Sequence, residues 1–229
     1  MSGELTVAER RYLKAAWYLS HDGAATVGRT AKRLGVSHAA ASTTLNQLLE
    51  HGLLERGDGR ELVLTDAGER VALLLVRRHR LLETFLAQVL DLSWDEVHDE
   101  AERLEWFVSD RVEERIAAVL GDPERDPHGD PIPPREGHHE EAGDLPLSQL
   151  QPGASGKIVR VADDDPALLR YLAGEGLGIG SVVTVERQEP FGGPLRLASA
   201  GGAHALGATA VGAISVSAVS HDGRSQHGG

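Results

Sequence analysis

The sequence predicts a mainly α-helical chain that ends in a small β domain, and three observations carry that expectation. Between residues 6 and 120, apolar side chains recur at helical spacing with little interruption. Residues 122–144 are rich in proline and charge. Beyond them, short β-rich runs alternate with glycine-rich turns.

Thr6 followed by Glu9 has the form of a capping box, and the first helix continues through Tyr12, Leu13, Ala16, Trp17 and Leu19 to His21-Asp22-Gly23. Val27, Ala31 and Leu34 mark a short second helix, and Gly35 makes the turn. Ser37 caps a third helix whose buried contacts are Val36, Ala41, Leu45, Leu48 and Leu49. Gly52 closes that helix in a left-handed conformation. LLERGDGRELVLT then alternates around Gly57-Asp58-Gly59 as a two-stranded wing. Two short helices, a glycine turn and a glycine-tipped hairpin together predict a winged helix-turn-helix that reads DNA. On this reading Ser37, Ser42, Thr43, Thr44 and Asn46 line the groove-facing helix, while Arg29 and Arg60 are candidate phosphate contacts.

The net charge of −12 argues against nucleic acid until it is divided. Residues 1–80 hold 12 Lys and Arg against 9 Asp and Glu, so the positive balance lies where the DNA reader is. With no cysteine, any metal must be held by His, Asp, Glu, carbonyls or water. No apolar run reaches the length of a membrane span and no signal peptide opens the chain, so a soluble cytoplasmic protein is expected, with no membrane partner.

A long helix begins at Thr65 and runs to Leu90, apolar on more than one side. The stretch from Ser93 to Leu120 repeats the pattern through Val97, Ala101, Leu104, Val108, Val112 and Ile116. So much apolar helical surface predicts a dimer. Within it His79 and Glu83 stand four residues apart, and His98, Glu102 and Glu105 follow at spacings of four and three. Each set is expected on one helical face, offering imidazole and carboxylate to a divalent metal. Asp122 to Asp144 reads as an extended linker, with His138-His139 a solvated pair. KIVRV, SVVTVE, PLRLAS and AISVSAV, with a helix over 166–172, predict a small β-barrel, and its turns account for the glycines of 174–180.

RHRLLE (78–83), VHDEAERLE (97–105), SDRVEER (109–115) and DPHGDPIP (126–133) resemble the diphtheria toxin repressor family of iron- and manganese-dependent regulators. The resemblance implies a winged-helix domain over 1–73, a helical metal-binding and dimerisation domain over 74–136 and a linker over 137–146. It further implies an SH3-like, FeoA-like barrel over 147–220 and a tail over 221–229. It also implies a homodimeric repressor that is not an enzyme. Loaded with Mn(II) or Fe(II), such a repressor binds palindromic operators with one or two dimers. One metal position of the family carries over to His79, Glu83 and His98, with Asp165 as the barrel ligand. The other carries over to Arg11, Glu102, Glu105 and Trp106, and is atypical: a guanidinium cannot ligate a metal and an indole is a poor ligand. Lys14 adds a second positive charge on the face of Arg11. This leads to the expectation that Arg11 pairs with Glu102 and Glu105 in place of the cation. Two regulators remain open at this point. One responds to metal; the other is a metal-independent winged-helix protein in which that ion pair replaces the metal. A metallohydrolase lacks an HExxH-type motif and a nucleophile.

Overall fold

The computed structural model describes residues 5–136 and 143–218; the linker residues 137–142, with His138-His139, and the tail from 219 onward lie outside the described residues. The chain divides into two compact units. One comprises Met1–Leu82, Glu102–Ala118 and Ile132–His139, the other Glu83–Ala101, Val119–Pro131 and Glu140–Gly229.

In the first unit, α1 (Val7–His21) opens with the capping box: Glu9 N donates to Thr6 Oγ1 at 3.2 Å and Thr6 N to Glu9 Oε2 at 2.8 Å. α2 (Val27–Leu34) stops at Gly35, whose φ of 64° provides the left-handed turn. α3 (His38–Glu50) then starts at Ser37, which accepts from Ala40 N. The wing is β1 (Leu54–Arg56) paired antiparallel with β2 (Leu62–Leu64), and Leu62 N also donates to Ala25 O at 2.8 Å. Leu13, Ala16, Ala41, Leu45, Leu48, Leu54 and Leu62 close one core beneath these elements.

α4 (Asp66–Leu90) is continuous over 25 residues and is capped by Thr65, which accepts from Gly68 N at 3.1 Å. The apolar stretch after Ser93 is two helices rather than one, α5 (Val97–Leu104) and α6 (Asp110–Leu120). The break follows from the sequence Trp106-Phe107-Val108, bulky and β-branched, before Ser109. Ser109 starts a new helix by accepting from Glu113 N through its carbonyl.

In the second unit, a six-stranded antiparallel sheet has the order β3-β8-β4-β5-β6-β7. Its strands are β3 (Leu145–Pro146), β4 (Ser155–Val161), β5 (Val182–Gln188), β6 (Leu195–Ser199), β7 (Gly202–Leu206) and β8 (Ile214–Ala218). Two short helices, α7 (Pro166–Gly174) and α8 (Ala208–Ala213), complete it. The sheet wraps Ile158, Leu169, Leu172, Leu177, Val185, Leu197, Leu206 and Val216 in the SH3-like arrangement expected. β3, β7 and α8 are additions to the four runs read from sequence. β7, GAHAL, is too rich in alanine and glycine to announce itself.

The expected extended linker from Asp122 is instead built into the second unit at its start. Asp126 Oδ1 accepts from His128 N and Asp130 N, both at 2.9 Å. Gly129, at φ 87°, passes so close to β4 that a Cβ would lie 1.8 Å from Val159 O. Asp126 and His128 are buried in consequence.

Gly68 gives a test of the winged-helix packing. Gly→Ala in a helix interior ordinarily stabilises by about 1 kcal/mol. Here a Cβ would stand 1.9 Å from the Leu53 carbonyl oxygen, which also accepts from Thr65 N. Backbone cannot yield cheaply, so Gly68→Ala is expected to lower the thermal midpoint by roughly 5 °C or more in circular dichroism melts, the sign opposite to propensity.

Candidate metal centre

Glu83 is fully buried on α4 and His98 stands in the first turn of α5. His98 Nδ1 lies 3.1 Å from Glu83 Oε1 and 2.8 Å from Asp163 Oδ2. Asp163 follows β4 in the Asp163-Asp164-Asp165 run. Burial opposes a charge on His98, but the hydrogen bonds and charges of Asp163 and Glu83 outweigh it and push its pKa up to about 10. The same contact holds the Asp163 carboxyl below the usual range although burial acts to raise it. In the metal-free chain a proton therefore sits between two carboxylates, where a divalent cation is also electrostatically favoured.

A second group adjoins it: ligand atoms of Glu83, Asp126 and His128 lie within 4.8 Å of one another. His128 Nε2 is 2.6 Å from the Trp94 carbonyl, which can only accept, so the ring proton is on Nε2 and the lone pair on Nδ1. That Nδ1 is buried without a hydrogen-bond partner among the described residues. Three carboxylates and two imidazoles, one of them with its free-lone-pair nitrogen unpartnered, fit a hard to borderline divalent ion such as Mn(II) or Fe(II).

Asp165 does not join this group. Its side chain caps α7, with Oδ1 accepting from Ala167 N at 2.9 Å and Leu168 N at 3.3 Å. Proline at the next position is a helix-start signal, and it assigns Asp165 to the cap and leaves Asp163 to face His98. Asp126 and His128 were equally readable as the Asp-x-His of DPHGDPIP, but composition placed that segment in a solvated linker.

His79, one turn before Glu83 on α4, is 1% exposed. Its Nδ1 lies 2.8 Å from Glu105 Oε2, so an ionised Glu105 fixes the proton on Nδ1 and the neutral ring keeps its lone pair on Nε2. Lys14 Nζ meets both oxygens of Glu105 at 2.8 Å. Burial would raise the Glu105 carboxyl, yet the His79 hydrogen bond and the Lys14 charge hold it below the usual range. The ion pair expected of Arg11 thus divides. Arg11 reaches only Glu102, at 3.5 Å on the exposed surface, and Lys14 takes Glu105. Glu102 lies within α5 and Glu105 just past its end at Leu104, where the chain turns, with Phe107 N donating to Leu104 O.

On α3, Thr43 and Asn46 are exposed and Ser42 and Thr44 half-buried, while Ser37 is engaged as the cap. Arg29 turns onto Ala24 O at 2.7 Å and Asp22 Oδ2 at 3.0 Å, bracing the loop before α2. Arg60 is exposed at the wing, and Arg56, not foreseen from sequence, reaches Asn46 Oδ1 at 3.5 Å. No helix of the described residues is long and apolar enough to cross a membrane.

Residues 65–134 match the family model of the iron dependent repressor, metal binding and dimerisation domain, and residues 145–218 match the FeoA domain. The Iron-dependent repressor IdeR of Mycobacterium leprae is 34% identical over 196 residues, covering 80% of this chain and 85% of that protein. IdeR of Mycobacterium tuberculosis strain H37Rv is 38% identical over 131 residues, so the chain spans 57% of that relative's length. A solved manganese-dependent transcriptional repressor in complex with manganese is 42% identical. It superposes with a TM-score of 0.87 over 92% of this chain and 100% of its own. The chain belongs to the family of iron-dependent repressors that includes the diphtheria toxin repressor.

Proposed function

We propose that the chain is a metal-responsive transcriptional repressor, a homodimer that binds palindromic DNA when Mn(II) or Fe(II) is bound. The observation that carries this is the meeting of half-buried His98 and Asp163 at the buried Glu83, which also groups with buried Asp126 and His128. His79 is the further ligand expected from sequence, and within its own unit Glu105 holds the proton on Nδ1. The ion supplies the positive charge that three carboxylates on separated segments need in order to remain together. Asp165, Glu102 and Glu105 have other partners. Exposed Leu104, Phe107 and Val112 offer apolar surface that a second copy would cover. The chain's domains take the limits read from sequence, 1–73, 74–136 and 147–220.

In the DNA complex, Ser42, Thr43, Thr44 and Asn46 face base edges, while Ser37 and Arg60 meet phosphate and Arg29 supports the loop beside them. A duplex chosen from a random library in the presence of MnCl2 serves as operator. Arg60→Ala is expected to weaken binding to all sequences alike and to reduce the slope of log affinity against log salt by about 0.9. An unchanged slope would remove Arg60 from the interface.

The central test is fluorescence anisotropy on that duplex with MnCl2, with Fe(II) under anaerobic conditions, and with chelator. Affinity is expected to rise about tenfold or more with metal, the size of a typical coupling between sites. Asp163→Asn should abolish most of the metal response. Asp165→Asn should retain it, at a stability cost of no more than about 1 kcal/mol because asparagine also caps helices. Equal affinity with metal and chelator would sink the proposal.

A further inference from the structure

We infer that Lys14 supplies, as a side-chain ammonium, the cation of the family's second metal position, so that this position takes no metal and ties α1 permanently to Glu105. Three observations within the first unit support this. Lys14 Nζ is bidentate on Glu105, 2.8 Å to each oxygen, and both side chains are withdrawn from water, 12% and 2% exposed. The ammonium also lies 5.5 Å from the centroid of the Trp106 ring, whose face attracts cations. Arg11 engages Glu102 beside it.

The residues do not fit a metal. Of the carried-over set, Arg11 is a cation, Trp106 offers no lone pair in the ring plane, Glu102 faces Arg11, and both Glu105 oxygens already accept hydrogen bonds from Lys14, a second cation beside the set. They do fit an ammonium: a carboxylate at hydrogen-bonding distance and an aromatic face. The replacement of an imidazole by Trp106, which weakens the case for a metal, therefore has a positive role, since it supplies the aromatic face. Lys14 is a positioning residue. Through Glu105 it fixes the His79 Nδ1–H tautomer while anchoring α1, so the metal response rests on the centre around Glu83, with His98, Asp163, Asp126 and His128.

The meaning of the inference rests on the metal-responsive reading, but its test does not. Mn(II) binding is followed by electron paramagnetic resonance on a chain carrying Glu83→Gln, His98→Ala, Asp163→Asn and His128→Ala, which takes ligands from both adjoining groups of the proposed centre and leaves Lys14 in place. No tightly bound Mn(II) is expected. One tightly held Mn(II) per disabled chain overturns the inference, whereas failure of wild-type Mn(II) binding would instead overturn the function proposed above. In parallel, amide hydrogen exchange of residues 7–21 is measured in chelator. Lys14→Met is expected to speed it by about tenfold or more, since a buried carboxylate loses its cation, and Lys14→Arg to restore it to near wild type. Exchange in Lys14→Met no faster than wild type also overturns the inference, and should that variant not fold, the resonance experiment decides alone.

Discussion

Withdrawing a carboxylate from water costs several kcal/mol unless an opposite charge or donated hydrogen bonds replace the solvent. Among the described residues this chain buries five: Glu9, Glu83, Glu105, Glu113 and Asp126. Each is met differently. Glu9 accepts from Thr6 and faces His51 at 3.1 Å, Glu113 is clasped by Arg78 Nε at 2.7 Å, and Glu105 is shared by Lys14 and His79. Asp126 takes two backbone N–H groups. Around Glu83 the carboxylates of Asp163 and Asp126 gather with the imidazoles of His98 and His128. A proton on His98 is a partial remedy for the metal-free chain, and a divalent ion a fuller one.

The winged helix was legible because its signals are local. A capping box, a left-handed glycine and a hairpin tip each act within four or five residues, and Thr6, Gly35 and Ser37 occupy the roles their sequence context assigns. The barrel was legible where branched residues alternate and not where β7 reads GAHAL. The helix break at 105–109 was masked by apolar spacing that continues through it, although the residues there favour an ending.

The centre was legible by half. His79, Glu83 and His98 lie on periodic helices, so spacing marked them together with Glu102 and Glu105, and the family resemblance set the three apart. Asp126, His128 and Asp163 lie on irregular backbone, where no period exists and the deciding facts are non-local: which of three consecutive aspartates caps a helix, and how closely Gly129 passes β4. Lys14 illustrates the same limit. Arg11 and Lys14 were both visible as positive charges on α1, but which of them reaches Glu105 depends on where α5 stops.

Lys14, Glu105 and Trp106 also constrain the evolutionary paths open to this surface. The three are epistatic: losing Lys14 first strands a buried anion, and losing Glu105 first strands a buried cation. Trp106 is the member whose exchange leaves the charges balanced, so a route back to an imidazole-bearing position starts there and removes the ammonium last. Relatives that share these three residues are therefore expected to vary at 106 before 14, and to change 14 and 105 only together.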